Sequence, residues 1–167
     1  MGKRLDTGAN VAVILAVLVF GGLTVRDRVF RHRTDGVAVL RVGDKIAVPP
    51  GYDSTKYPAT LLLALRPDCP FCEKSVPFYR RLAAREKENR SIAHLLAVVS
   101  SDAATTREWA ASRRLDMQLH PDTDFAKIRV QGTPTLVLID PDGRVRKVWA
   151  GQLTAGEEAE VLTQLER

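Results

Sequence analysis

Read for its apolar and polar positions, the 167-residue chain opens with one long uncharged run and continues with shorter ones of two distinct periods. The long run is ANVAVILAVLVFGGLTV, Ala9 to Val25, without charge and with a single Asn10 near its start. Three shorter runs, ATLLLAL (Ala59 to Leu65), IAHLLAVV (Ile92 to Val99) and TPTLVLID (Thr133 to Asp140), are too short for buried helices. They predict strands covered on both faces. From Pro70 the period changes to that of a helix: Phe71, Ser75, Phe78 and Leu82 form one stripe, with Val76, Tyr79 and Ala83 beside it. DAATTREWAASRRL predicts a second helix, capped by Asp102 or Thr105 with Trp109 turned inward, and DTDFAKIRV a short third one carrying Phe125 and Ile128.

Asp140-Pro141-Asp142-Gly143 is a tight turn leading into RVRKVWAG, which alternates like an exposed edge strand, and Glu157 to Glu166 predicts a closing amphipathic helix. Between Val37 and Pro58, short apolar stretches broken by Pro49-Pro50-Gly51 and Asp53-Ser54 predict one or two short strands and a loop. The order strand, helix, strand, helix, hairpin, helix implies parallel pairing first and antiparallel pairing afterwards. The expected class is therefore α/β, a central mixed β-sheet flanked by helices and preceded by one N-terminal transmembrane helix. No internal repeat or low-complexity segment is present.

Charge sharpens the reading of the amino-terminal run. Of the net +5, residues 1 to 35 contribute Lys3, Arg4, Arg26, Arg28, Arg31 and Arg33 against Asp6, Asp27 and Asp35, leaving only +2 for the rest. Basicity gathered at the flanks of an apolar segment marks a membrane surface and argues against nucleic acid. The expected organisation is a short flank at 1–8, a transmembrane anchor at 9–25, a basic juxtamembrane linker at 26–37 and one domain at 38–167. A cleaved signal would call for a small-x-small site, which Gly21-Gly22-Leu23-Thr24-Val25 does not supply, and a buried or interfacial helix would show a polar stripe. The heavier basic flank lies on the carboxyl side and favours a cytoplasmic domain. The cysteine chemistry favours export.

Both cysteines of the chain fall together, as Cys69 and Cys72 in DCPFC. With Pro70 at the first helical position, Cys69 precedes the helix and Cys72 lies one turn along it. The amides of Phe71 and Cys72 and the positive helix end then favour a thiolate at Cys69. Cys69 becomes the attacking group and Cys72 the resolving one. Three other readings compete. A zinc site needs four ligands, and His32, His94 and His120 stand at no close spacing. A structural disulfide across so short a loop constrains the unfolded chain little. Two thiolates also suit Cu(I), so a membrane-anchored copper-binding or copper-delivery module is the alternative from another class. A second signal is Thr133-Pro134 at the head of a buried strand, where proline must take the first position. Were that bond cis, the backbone of Thr133 would face outward and could pair with an extended substrate.

CPFC, the helix proline Pro77, VQGTPTLVLIDPDGRV and GQLTAGEEAEVLTQL follow one another as in thioredoxin-fold proteins. Over residues 38 to 167 the chain resembles the membrane-anchored TlpA-like thiol-disulfide oxidoreductases. The resemblance implies a thioredoxin-like domain with Cys69 as nucleophile, Cys72 as resolving cysteine and Pro134 as a cis-proline facing them, with Thr133 beside it in substrate binding. It implies no cofactor and no metal. Its partners would be protein thiols and disulfides, a membrane through residues 9–25, and a membrane redox protein, with the domain periplasmic or otherwise extracytoplasmic.

The sequence departs from the family at two telling positions. Asp68 replaces the tryptophan before the first cysteine, and Leu63 stands where thioredoxins bury a proton-transferring acid. Asp68 or Glu73 is left as a candidate modulator, with Pro70 and Phe71 between the cysteines. Asp68 would also oppose a thiolate by like charge. The hairpin before the core shortens to VLRVGDKIAV. The Pro-Phe pair also resembles glutaredoxins, but the apolar amino-terminal segment and the length between Cys72 and Pro134 do not. LALRPDCP lacks the context of a peroxiredoxin cysteine.

Overall fold

The computed structural model describes residues 40–89 and 93–166. The expected anchor and linker lie outside them. Among the described residues no helix is long and apolar enough to cross a membrane.

The apolar runs form the strands they predict: β1 (Thr60–Leu65), β2 (His94–Val99) and β4 (Thr135–Ile139). Two further strands, β3 (Gln118–His120) and β5 (Val145–Ala150), complete a sheet ordered β3-β2-β1-β4-β5. β1 pairs with β2 in parallel, Thr60 opposite His94, and with β4 antiparallel, Thr60 opposite Ile139. β5 returns antiparallel on β4, so the expected mixed sheet is present. β3 is missed by a sequence reading because only Leu119 of its three residues is apolar.

Side chains of the central strands alternate between two cores. Leu61, Leu63 and Leu65 with Leu95, Ala97, Val99, Leu136 and Leu138 face one side, while Leu62, Ala64, Leu96, Val98, Val137 and Ile139 face the other. This period of two on a doubly covered sheet explains why the runs are continuously apolar. The first core receives the helices α1 (Pro70–Lys74), α2 (Val76–Glu88), α3 (Ala103–Ser112) and α4 (Ala155–Leu165). The second is closed by Leu40, Ile46, Tyr52, Ile128 and Val130 from non-helical segments.

The structure corrects the sequence reading at several places. The single helix expected from Pro70 breaks at Ser75, because Pro77 has no N–H for the carbonyl of Glu73 and its ring crowds that position. Phe71, expected in the buried stripe, precedes the break and is 51% exposed. The helix expected over DTDFAKIRV is a run of turns. The amides of Asp122 and Thr123 are drawn to Ser101 and Val99 at the end of β2, and Asp122 and Arg129 have φ of 51° and 56°. No strand forms between residues 40 and 58. That segment clips onto the β4–β5 turn through a single bridge, Lys45 with Arg144, supported by Gly43 N–H to Val145 O at 2.8 Å and Ile46 N–H to Gly143 O at 3.0 Å. Gly143 is required there, since its φ is +81° and a Cβ would stand 3.3 Å from the Ile46 carbonyl.

Of the caps, Asp102 is the expected one and Thr154 is an addition that starts α4 at Ala155, two residues before the expected Glu157. Asp102 accepts from the amides of Ala104 and Thr105, and Thr154 with Glu157 forms a capping box on α4.

Candidate active site

β1 is buried along its whole length and ends at Leu65, from which Arg66-Pro67-Asp68 leads out to Cys69. Cys69 N–H donates to Arg66 O at 3.2 Å and closes this turn. Pro70 forces the residue before it into extended backbone, and Cys69 obeys with φ −91° and ψ 114°. Cys69 is thus the N-cap of α1, its carbonyl taking the first helical bond from Glu73 N–H at 3.0 Å. Cys72 follows one turn later, fully buried in the first core, while Cys69 is only partly covered.

The second half of the site comes from distant sequence. Antiparallel pairing of Ala64 with Thr135 brings the start of β4 beside the end of β1. The Thr133-Pro134 bond is cis. The Cys69 thiol donates to the Thr133 carbonyl at 3.2 Å across 64 residues of chain. Pro134 is buried, and its carbonyl accepts from Gly151 N–H at 2.8 Å, which seats the loop on β5.

The two sulfurs have opposite proton affinities. Burial acts to raise the Cys69 thiol, but the Thr133 side chain, the Cys72 amide at 3.4 Å, the Cys72 thiol and the Phe71 amide together hold it below its ordinary value. The Thr133 carbonyl works the other way, because it can accept from a thiol and offers nothing to a thiolate. Burial pushes the Cys72 thiol up to about 12, and the neighbouring Cys69 adds to the rise. The accessible sulfur is the readily ionised one.

Both candidate acids are engaged elsewhere. Asp68 accepts from Arg66 at 2.6 and 3.0 Å, and Glu73 accepts from Arg113 at the end of α3 at 3.0 and 3.2 Å. Leu63 is fully buried in β1 among leucines, so no carboxylate enters the core there. Beside the cysteines a groove of about 320 Å³ is lined by Leu40, Phe71, Arg129, Val130, Thr133 and Gly151. Leu40, Arg129 and Gly151 were not expected here, since only the register of β4 and β5 and the clip of residues 40–46 bring them together. Tyr79 was read as packing alone. Its hydroxyl carries a signal that sequence hides, being buried with no hydrogen-bond partner among the described residues. The histidines of the zinc reading do not gather at the pair: His94 meets Glu86 and Gln118, and His120 meets Thr123, while His32 lies outside the described residues.

The thioredoxin-like domain family matches residues 52–166. The chain belongs to that family. No curated protein matches it in sequence. Among solved structures, a thiol-disulfide isomerase from Corynebacterium glutamicum superposes with a TM-score of 0.58 at 17% identity, covering 78% of this chain and 95% of its own. A secreted Mycobacterium tuberculosis disulfide oxidoreductase homologous to E. coli DsbE gives 0.52 at 19%, covering 65% and 80%. StoA from Bacillus subtilis gives 0.56 at 16%, covering 81% and 99%. At these identities the likeness establishes a shared fold. The thioredoxin-like domain therefore places Cys69, Cys72 and Thr133-Pro134 at the junction of β1, α1 and β4.

Proposed function

We propose that the domain is a protein thiol-disulfide oxidoreductase. The observation that carries this reading is the pairing of a partly exposed, readily ionised Cys69 with a buried, reluctant Cys72 one turn away. The Cys69 thiolate attacks one sulfur of a substrate disulfide, forming a mixed disulfide and expelling the other substrate sulfur as a thiolate. Cys72, having given up its proton to solvent, then attacks Cys69 Sγ, forms the intramolecular disulfide and releases the second substrate thiolate. Run backward, the same steps donate a disulfide. Thr133 beside Cys69 and the groove past Phe71 would receive an extended substrate segment, with Pro70 fixing the helix start.

Residues 9–25 would anchor the chain as a single span, with the domain in an extracytoplasmic, oxidising compartment such as a periplasm and a membrane redox protein exchanging electrons with the pair. The uncharged apolar run supports the anchor, and the heavier basic flank on its carboxyl side opposes that orientation.

Cys72→Ser is expected to accumulate mixed disulfides with protein substrates, and Cys69→Ser to form none. Stoichiometric Cu(I) bound by the wild type and lost in both variants, without mixed disulfides, would replace this reading with the copper module. Direction follows from the reduction potential. A value near roughly −270 mV makes the domain a reductant, and one near roughly −120 mV a disulfide donor.

A further inference from the structure

The core that holds Cys72 contains two buried polar groups without a hydrogen-bond partner among the described residues, the Trp109 Nε1 and, on the segment that carries Cys72, the Tyr79 hydroxyl. Tyr79 is fully buried in the same cluster as Cys72, and its hydroxyl makes no hydrogen bond among the described residues. A hydroxyl desolvated without a partner is costly, and a phenylalanine would fill the same space without that penalty. Cys72 lies in α1 and Tyr79 seven residues on in α2, but Ser75 at the break keeps right-handed helical backbone, φ −88° and ψ −4°, so the two stay on one side across it, and a helical side chain leans toward the N-terminal turn. The phenol therefore leans toward the turn that carries Cys72. Ser75, between them, spends its hydroxyl hydrogen on the Phe71 carbonyl at 2.8 Å.

We propose, on the oxidoreductase reading, that the Tyr79 hydroxyl supports the resolving step by turning its O–H toward the Cys72 sulfur as that sulfur becomes a thiolate. In the thiol state the donor has no anion to meet. During resolution Cys72 becomes an anion inside an apolar core, where thioredoxins keep an acid and this chain keeps Leu63. The phenol keeps its proton throughout: burial holds it well above its ordinary range, the Ser75 hydroxyl nearby, which forms no hydrogen bond with it, acts weakly the other way, and the Cys72 and Cys69 sulfurs add to the rise. Glu158 of α4, the other charge acting on it, is paired with Arg81. The proton leaving Cys72 goes to solvent, the Cys72–Cys69 S–S bond forms, and the bond from Cys69 to the substrate sulfur breaks.

The test uses the purified full chain and Ellman's reagent. Cys69 attacks the aromatic disulfide and releases one thionitrobenzoate anion, and Cys72 then attacks Cys69 and releases the second. Tyr79→Phe is expected to leave the first phase unchanged, to slow the second about tenfold at neutral pH, and to move the pH midpoint of the second phase upward. Its thermal midpoint is expected to equal or exceed that of the wild type. Phe78→Leu, which alters packing but keeps the hydroxyl, is expected to leave the second-phase pH midpoint in place. A second phase in Tyr79→Phe with wild-type rate and pH profile overturns the proposal, as does an equal shift in Phe78→Leu. A wild-type chain that releases no second thionitrobenzoate by internal attack overturns the oxidoreductase reading together with it.

Discussion

Arg66 grips Asp68 at two points, Nη2 to Oδ2 at 2.6 Å and Nε to Oδ1 at 3.0 Å, immediately before Cys69. The carboxylate that replaces the family tryptophan thus arrives with its own counter-charge. Arg66→Ala frees that charge beside the sulfur. Because both side chains are more than half exposed, the effect is small. Alkylation of Cys69 by iodoacetamide at neutral pH is expected to slow about twofold in Arg66→Ala and to return to the wild-type rate in the Arg66→Ala, Asp68→Asn double variant. A rate unchanged in the single variant would show that Asp68 exerts no field on Cys69.

Thr133 acts on Cys69 through two atoms of opposite effect, and substitution separates them. Thr133→Val keeps the carbonyl that accepts from the thiol and removes the hydroxyl that favours the thiolate. The Cys69 thiol is therefore expected to ionise at higher pH, seen as an alkaline shift of the thiolate ultraviolet absorbance and of the alkylation profile. Thr133→Ser, which keeps the hydroxyl, is expected to stay near the wild type.

Glu73 lies between the cysteines and the body of the helix, yet its carboxylate is turned to Arg113 on the surface. Glu73→Gln is expected to leave disulfide exchange within about twofold of the wild type and to cost less than about 1 kcal/mol in urea unfolding, the ordinary range for an exposed pair. A large loss of exchange rate would restore Glu73 as a proton carrier.

His94 couples stability to pH at the far end of β1 and β2. Its Nδ1 lies 2.7 Å from Glu86 Oε1, its Nε2 2.9 Å from Gln118 Oε1, and its ring stacks on Tyr57 at 4.0 Å. Burial acts to lower its pKa, but the bonds to Glu86 and Gln118 outweigh this and raise it above the ordinary value. The folded state thus binds the proton more tightly than the unfolded chain. The resulting stability is fully present below the unfolded value of about 6.5 and is lost as pH rises through the folded one. Urea midpoints are expected to fall across that interval in the wild type and to lose that component of the pH dependence in His94→Gln.

The elements whose signals are local were legible in the chain itself. A strand covered on both faces must be apolar at every position, so β1, β2 and β4 were readable as runs, and two helix starts were local as well: Pro70 has a fixed φ and no N–H to leave unpaired, and the Asp102 side chain accepts from amides two and three residues on. The cysteine pair and its placement at a helix start belong to the same class. What tertiary structure decided is whatever depends on partners distant in sequence. The antiparallel register of β1 with β4 carried Thr133 to Cys69, and the amides of Asp122 and Thr123 were taken by β2, which prevented a helix that the local pattern allowed. Ion pairs hold Asp68 and Glu73 at the surface, while burial left the Tyr79 hydroxyl and the Trp109 Nε1 without hydrogen-bond partners among the described residues. Residue type sets what a side chain can donate, accept or ionise. Only packing sets which of those capacities remain unspent at the sulfurs.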